Sequence, residues 1–293
     1  MELYQLRSFV AVAEEGNLTR AAERLFTSQP AVSAHIKALE DELGVALFDR
    51  TSRGMLTTRD GEALLEKAAA TLDSIREIND LARKLQSSPS GPLRIGVCLD
   101  GNDLGLETIS ARISAQFPGI EFVFVHSSTG TIVKGLLNGD LDVGFGEGVI
   151  DSPLLEGMKI GVTEVVVVGA PQYKDVFEAS DWKGLESLPW VFRTPDCSYH
   201  QLMERIARAN ELTLNRQYII DHEATCLQFA RKGVAISVSN YNTVKNELES
   251  GALIAWPGFH GKLDVQLLCL AKRSQERAIQ AFFESTRASH PTT

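Results

Sequence analysis

Residues 17–50 constrain this chain more than any other stretch, because they read as two short helices joined by a tight turn. Thr19 can cap a helix whose apolar residues Ala21, Ala22, Leu25 and Phe26 recur at helical spacing. Thr27 and Ser28 offer fresh caps. Pro30 then falls in the first turn of a second helix, where a missing N–H costs nothing. That helix turns Val32, Ile36, Leu39 and Leu43 to one face and ends at Gly44. Gln29, Ser33, Ala34 and Lys37 lie toward another face. Upstream, Leu3, Leu6, Phe9, Val10, Val12 and Ala13 make a first helix that packs on both, and Ala22 and Ala31 allow a close crossing. The expectation is a compact trihelical unit.

Spacing alone fits a ligand-free helix pair equally well. The residue string goes further. Phe9, Val12, Ala13, Glu15, Gly16, Asn17, Thr19, Arg20, Ala21, Ala22, Leu25, Ser28, Gln29, Pro30, Ala31, Val32, Ser33, Ile36, Leu39, Glu40, Leu43, Gly44, Leu47, Phe48 and Arg50 form one pattern without a gap. This string resembles the winged helix-turn-helix of the LysR-type transcriptional regulators. Asn17 stands where that family more often has Ser, a change that keeps a polar capping residue. The resemblance implies a second helix lying in the DNA major groove.

Side-chain chemistry then suggests roles. Gln29 can make a bidentate contact to adenine, Ser33 and His35 can reach base edges or phosphates, and Pro30 and Ala34 offer apolar contact to a thymine methyl. Arg20, Lys37, Thr27 and Ser28 suit phosphates. Residues 51–58 read as the wing, with Gly54 at a hairpin turn and Arg53 directed to the minor groove, a role the resemblance supports.

Charge does not make this argument. The chain carries a net −9, and residues 1–60 hold seven Lys/Arg against nine Asp/Glu. The balance argues against a general nucleic-acid coat protein and predicts modest non-specific affinity. Local concentration is required instead, with Arg7, Arg20, Arg24, Lys37, Arg50, Arg53 and Arg59 on one side and Glu40, Asp41 and Glu42 turned away.

A long helix follows, capped by Thr58. Leu64, Leu65, Ala68, Leu72, Ile75, Ile78, Leu81, Ala82 and Leu85 form its apolar stripe. Such a stripe extends for about 40 Å at about 1.5 Å per residue, too long for the domain to cover, so self-association is expected. A palindromic DNA site also asks for a dimer. In the family this helix pairs antiparallel, so Asn79 need not face its own copy.

The run of Pro, Gly and Ser at 86–92 cannot continue a helix and marks a boundary. The expected organisation is a DNA-binding domain at 1–58 (helix-turn-helix about 18–37), a linker helix at 59–86, a hinge at 87–91 and an effector domain at 92–293. Within the last, strands and helices alternate: strands at 93–99, 121–125, 141–145, 165–168, 190–193, 218–221, 234–238 and 263–270, and helices at 104–117, 129–137, 199–209, 223–230 and 275–288. Alternation implies parallel sheets with crossovers. Two α/β lobes joined by two crossing strands are expected, lobe I at about 92–163 and 268–293 and lobe II at about 164–267. That is the architecture of periplasmic solute-binding proteins, and the segment resembles the effector domain of the same regulator family. The fold class is therefore multi-domain: an all-α winged helix-turn-helix head with a long linker helix, then a two-lobed α/β domain.

Ligands in such sheets bind at the carboxyl ends of strands and at helix N-termini. This rule selects Leu99, Asp100, Gly101 and Asn102 after the first strand, Ser127, Ser128 and Thr129 after the second, and Glu147 after the third. From lobe II it adds Arg193, Thr194, Cys197, Ser198 and Ser239. Ser128 and Thr129 suit an anion or merely cap their helix, Arg193 suits a carboxylate, and Asp100 and Glu147 prefer a cation. An amino-acid-like molecule satisfies both signs; a small organic acid is the simpler alternative.

Cys98, Cys197, Cys226 and Cys269 have no metal-ligand spacing. Cys98 and Cys269 read as core, and Cys197 as exposed near the cleft with no second thiol following until Cys226. Peroxide-sensing relatives make redox sensing an alternative reading. No signal peptide, membrane span, metal site, cofactor motif or catalytic constellation is expected; His126, His200, His222 and His260 are scattered. A secreted solute-binding protein would leave the head idle. The expected protein is a cytoplasmic regulator, not an enzyme. Its expected partners are an operator with inverted-repeat half-sites, a small effector and its own copies as dimer or tetramer. RNA polymerase is a further partner of the same reading.

Overall fold

The computed structural model describes residues 1–293 except 26, 52–53, 86–88, 100–103, 180 and 291–293, and gives only the backbone of 76–77 and 79–85. It divides into two compact units, Met1–Gln86 and Ser87–Thr293.

The first unit is built from helices α1 (Leu3–Glu15), α2 (Leu18–Arg24), α3 (Gln29–Leu43) and α4 (Arg59–Leu85), with strands β1 (Phe48–Thr51) and β2 (Gly54–Thr57) between the last two. Local chemistry sets each boundary. Glu2 and Gln5 form a capping box at α1, which ends at Gly16 with φ 60°. The cap of α2 is Asn17, whose side chain accepts from the Thr19 and Arg20 amides, so Thr19 lies inside the helix rather than ahead of it. Ser28 caps α3, Pro30 occupies its first turn, and Gly44 closes it at φ 70°. The Thr58 hydroxyl accepts the Gly61 amide at 2.9 Å and starts α4.

All these elements share one core. Phe9, Val12, Ala21, Val32, Leu39 and Leu47 are almost fully buried, joined by Met55 from β2 and by Ala68 and Leu72 from α4. The head therefore covers the first part of the α4 stripe, while Ile78 further along is 67% exposed. Two details lock the β1–β2 hairpin in place. The Met55 amide donates to the Gly16 carbonyl at 2.9 Å. Gly54 has φ 122°, and a Cβ there would lie 2.4 Å from the same carbonyl, so only glycine fits. Glu40, expected to turn outward, instead accepts the Leu47 and Phe48 amides at 2.8 and 3.3 Å and fixes the start of the hairpin.

The second unit carries one eight-stranded sheet in the order β4-β3-β5-β10-β6-β9-β7-β8. Its strands are β3 (Gly91–Val97), β4 (Ile120–His126), β5 (Val143–Glu147), β6 (Leu155–Gly169), β7 (Trp190–Phe192), β8 (Tyr218–Ile219), β9 (Ile236–Asn240) and β10 (Ile254–Leu270). Its helices are α5 (Leu106–Gln116), α6 (Thr129–Leu137), α7 (Lys174–Ala179), α8 (Ser198–Ala209), α9 (Glu223–Arg231), α10 (Tyr241–Ser250) and α11 (Arg277–Ser289).

Lobe I has the parallel trio β4-β3-β5 beside β10, and lobe II has β8-β7-β9 beside β6. Both lobes thus use the same strand order. Between them β6 and β10 run antiparallel along nearly their whole lengths, from Leu155 paired with Leu270 to Gly169 paired with Ile254. These are the two crossing strands, longer than the sequence suggests and irregular between Ala255 and His260. Apolar residues alternate across the sheet. In β5, Val143 and Phe145 face a core with Ile109, Ile113, Ile279 and Phe282, while Gly144 leaves room for Ile132 of α6. Lobe II repeats the pattern, with Val165 and Val167 beside Trp190 and Trp256, and Val166 and Val168 beside Leu227 and Val244.

Candidate functional site

In the first unit the face of α3 away from the core carries Gln29, Pro30, Ala34 and Lys37, all exposed, and Thr27 and Ser28 are exposed just before it. The Ser28 hydroxyl is used as the helix cap. From β1, the Arg50 guanidinium donates to the Ser33 hydroxyl at 3.2 Å, bringing a cation beside the first half of α3. Arg50 belongs with these residues although the sequence reading assigned it no contact. Arg20 is 63% exposed but tied to Glu15, and Arg24 pairs with Glu14 and Glu15. Arg53 lies outside the described residues.

His35 departs from expectation. Its Nδ1 sits 2.9 Å from the Ser8 hydroxyl, and its ring packs on Tyr4 with centroids 4.6 Å apart. Position 35 lies three residues from Val32 and four from Leu39, both buried, so its ring turns to α1 and away from the Gln29–Lys37 face.

In the second unit the end-of-strand rule leads to a junction between the lobes. Glu147, the last residue of β5, is 4% exposed. Its Oε2 accepts from the Ser198 hydroxyl at 3.3 Å, and its amide donates to the Thr129 hydroxyl at 3.0 Å. Ser198 starts α8 in lobe II and Thr129 starts α6 in lobe I, so one residue ties two helix N-termini, one through its carboxylate and the other through its backbone amide. Around this tie the Gly130 amide donates to the Asp196 carbonyl at 2.9 Å, and Lys134 pairs with the Asp196 carboxylate at 2.9 Å. Arg193 lies 3.9 Å from Glu223, which accepts from the Ser239 hydroxyl at 3.0 Å. The His200 ring holds the Arg193 carbonyl at 2.7 Å.

Burial raises the Glu147 carboxyl from its ordinary 4.5 to about 7. The hydroxyls of Thr163 and Ser198 pull it back, the Glu223 charge adds to the rise, and Arg193 offsets part of it. Glu147 Oε1 and Arg193 Nε are buried without a hydrogen-bond partner.

Not every expected ligand residue belongs here. Leu99 is buried in the apolar core of lobe I. Ser128 is used by its helix: it caps α6 and shares a 2.9 Å hydrogen bond with Thr131. Ser127 donates its amide to Val97 at 3.0 Å, extending the β3–β4 ladder. Thr194 donates to Asp221 at 3.1 Å, at the rim. Asp100, Gly101 and Asn102 lie outside the described residues. Thr163, Tyr199 and Glu223 were not singled out from the sequence. Thr163 sits inside a crossing strand, where no end-of-strand rule looks.

Cys197 was expected to be exposed and is 7% exposed at the start of α8. Burial pushes its thiol up, with Arg193 opposing. Its charge is felt by Cys98 of lobe I, whose own thiol burial pushes up. A buried thiol of raised pKa holds little thiolate, the form that peroxide attacks. Among the described residues no group of three or more His, Cys, Asp or Glu could hold a metal, and no helix is long and apolar enough to cross a membrane.

Comparison with known proteins gives the family. Residues 3–62 match the model of bacterial regulatory helix-turn-helix proteins of the lysR family, and residues 86–290 match the LysR substrate binding domain. The uncharacterized HTH-type transcriptional regulator YfiE of Escherichia coli is 26% identical over 297 residues, 99% of each chain. The RuBisCO operon transcriptional regulator of Allochromatium vinosum is 28% identical over 266 residues, 87% of this chain and 84% of that one. The DNA-binding transcriptional dual regulator OxyR of Escherichia coli is 31% identical over 189 residues, 64% of this chain and 60% of its own.

Among solved structures, the Vibrio cholerae virulence activator AphB shares the fold with TM-score 0.62 and 17% identity, covering 99% of this chain and 100% of that one. Full-length CbnR complexed with its target DNA does so with TM-score 0.56 and 23% identity, covering 99% and 100%. The chain belongs to the LysR family of transcriptional regulators: a DNA-binding helix-turn-helix head joined to a two-lobed effector-binding domain, and not an enzyme.

Proposed function

We propose that α3 reads the operator through Gln29, Ser33 and Ala34, with Pro30 against a thymine methyl. Lys37, Arg50, Thr27, Ser28 and Arg20 position the head on phosphates, with Arg53 assigned to the minor groove. What supports this is the α3 face itself, which presents Gln29, Pro30, Ala34 and Lys37 to solvent while its opposite face closes the core. His35 is left out because α1 already occupies it.

The protein works as a dimer or tetramer through the uncovered part of α4, where Ile78 is exposed. It binds inverted-repeat half-sites in the cytoplasm, where the DNA is. CbnR has been captured with its target DNA on the same fold. A small effector bound between the lobes changes the assembly by favouring one state over another. Control by a buried thiol is disfavoured by the placement of Cys197.

Genome-fragment selection with the full-length protein, followed by footprinting, tests this reading. A protected inverted repeat is expected. Gln29→Ala should flatten the preference at one half-site position by about 1–3 kcal/mol. Lys37→Ala should weaken all sequences alike. Identical behaviour of the two variants would place the reading face elsewhere.

A further inference from the structure

Among the described residues, the junction between the lobes holds more carboxylates than cations free to meet them. Glu147 and Glu223 face Arg193 there, and Lys134 is engaged with Asp196. Of the titratable groups around Glu147, namely Cys98, Arg193, Cys197, Tyr199 and Glu223, only Arg193 is basic. Arg193 pairs with Glu223 at 3.9 Å and acts on Glu147 through its charge.

The hydroxyls tell which form of Glu147 the site is built around. Ser198 donates to Oε2 from the N-terminus of α8, and Thr163 also stabilises the ionised form. Helix N-termini favour anions as well. Yet Oε1, in a side chain 4% exposed, has no partner among the described residues. A buried acceptor left this way has given up its water without gaining a donor in exchange. Arg193 Nε is in the same position on the other lobe.

We propose that the cleft takes a small ligand bearing a protonated amine, which donates to Glu147 Oε1 while an oxygen acceptor of the same ligand meets Arg193 Nε. This rests on the reading that the cleft is the effector site, and it names the ligand's chemical class. Such a ligand supplies the charge and the first hydrogen bond through its ammonium group and the second through its oxygen. It also fixes a sign. Burial keeps the Glu147 proton on up to about pH 7. Amine binding needs the carboxylate, so binding releases that proton, and affinity drops about tenfold for each pH unit below the carboxyl's pKa. An acid held by protonated Glu147 would show the opposite slope.

Isothermal titration of the full-length protein tests this with ethanolamine, glycine and lysine, each against a counterpart without the amine: ethylene glycol, acetate and hexanoate. At least one amine should bind saturably where its counterpart does not. Its affinity should rise from about pH 5 to about pH 7, and Glu147→Gln should weaken it at least about tenfold. Repeating the wild-type titration in two buffers of different ionisation enthalpy counts the released proton. That measurement decides the matter even if Glu147→Gln fails to fold. Equal binding of a deaminated counterpart, an affinity that falls with pH, or no binding by any amine overturns the proposal. The cleft reading fails separately, if a protein-free metabolite extract leaves both the melting temperature and the footprint unchanged.

Discussion

Asp142, just ahead of β5, and Glu147, its last residue, are buried carboxylates of the same lobe, 2% and 4% exposed. Asp142 is saturated. It accepts the Arg94 amide at 2.7 Å and pairs with Arg273 at 2.8 Å. Arg273 in turn is held by Glu276 through two bonds of 2.7 and 2.9 Å. Glu147 has Ser198 at 3.3 Å, the added pull of the Thr163 hydroxyl, and an oxygen, Oε1, without a partner among the described residues. Burial is equal, so the difference is one of partners. A satisfied buried charge fixes the packing around it, whereas an unsatisfied one destabilises the resting protein and is retained where something else must bind.

Removing a partner at the saturated end should have the largest effect. Asp142→Ala takes one carboxylate from the buried Arg273–Glu276 pair and the acceptor from the Arg94 amide, and should lower stability by about 3–5 kcal/mol in urea unfolding. A loss under about 1 kcal/mol would erase the contrast between the two ends.

Glu147→Gln should do the reverse. Because folding raises this carboxyl from 4.5 to about 7, the native state binds the extra proton within that window, and wild-type stability falls as pH rises through it. The glutamine variant should therefore be more stable by on the order of 2–3 kcal/mol at about pH 8 and indistinguishable at about pH 4. Melting curves at the two pH values check this, and a destabilised variant at high pH would mean that Glu147 has a partner after all.

Ser198→Ala removes the hydroxyl bonded to Glu147 Oε2 and should cost about 1 kcal/mol above neutrality. It should also shift the pH-dependent loss of stability upward. Lys134→Ala should have the smallest effect. Its pair with Asp196 is 66% and 44% exposed, so a change of less than about 1 kcal/mol, fading with added salt, is expected from melting curves.

How much of this was legible depended on how local the cause is. The head could be read almost residue by residue because Ser28, Pro30 and Gly44 act within a few positions of themselves. Even there, His35 and Glu40 were misplaced, since their partners Ser8 and Leu47 lie outside the motif that suggested their roles. In the second unit, α6 coincides with its expected span, while α10 was missed because Tyr241–Ser250 buries only Val244 fully. The crossing strands were read short because Gly157 and Gly161 interrupt β6, and Pro257 and Gly258 interrupt β10. Their length comes from pairing with each other. Glu147 was found by its place at a strand end. Its unmatched oxygen could not be, since that depends on which side chains arrive from the other lobe.

The bond from Met55 to Gly16, with no room for a Cβ at Gly54, makes the hairpin and the α1–α2 turn a single solid piece. Ala68 and Leu72 weld the start of α4 to the same piece. A body built this way has no internal joint with which to adapt its grip. Adjustment can come only from swinging it whole, and α4 is the handle. Over a rod of about 40 Å, a tilt of about 5° moves the far end by about 3 Å. That is close to the rise of one base pair, so a small rotation of the handle is enough to take a paired head out of step with its half-site.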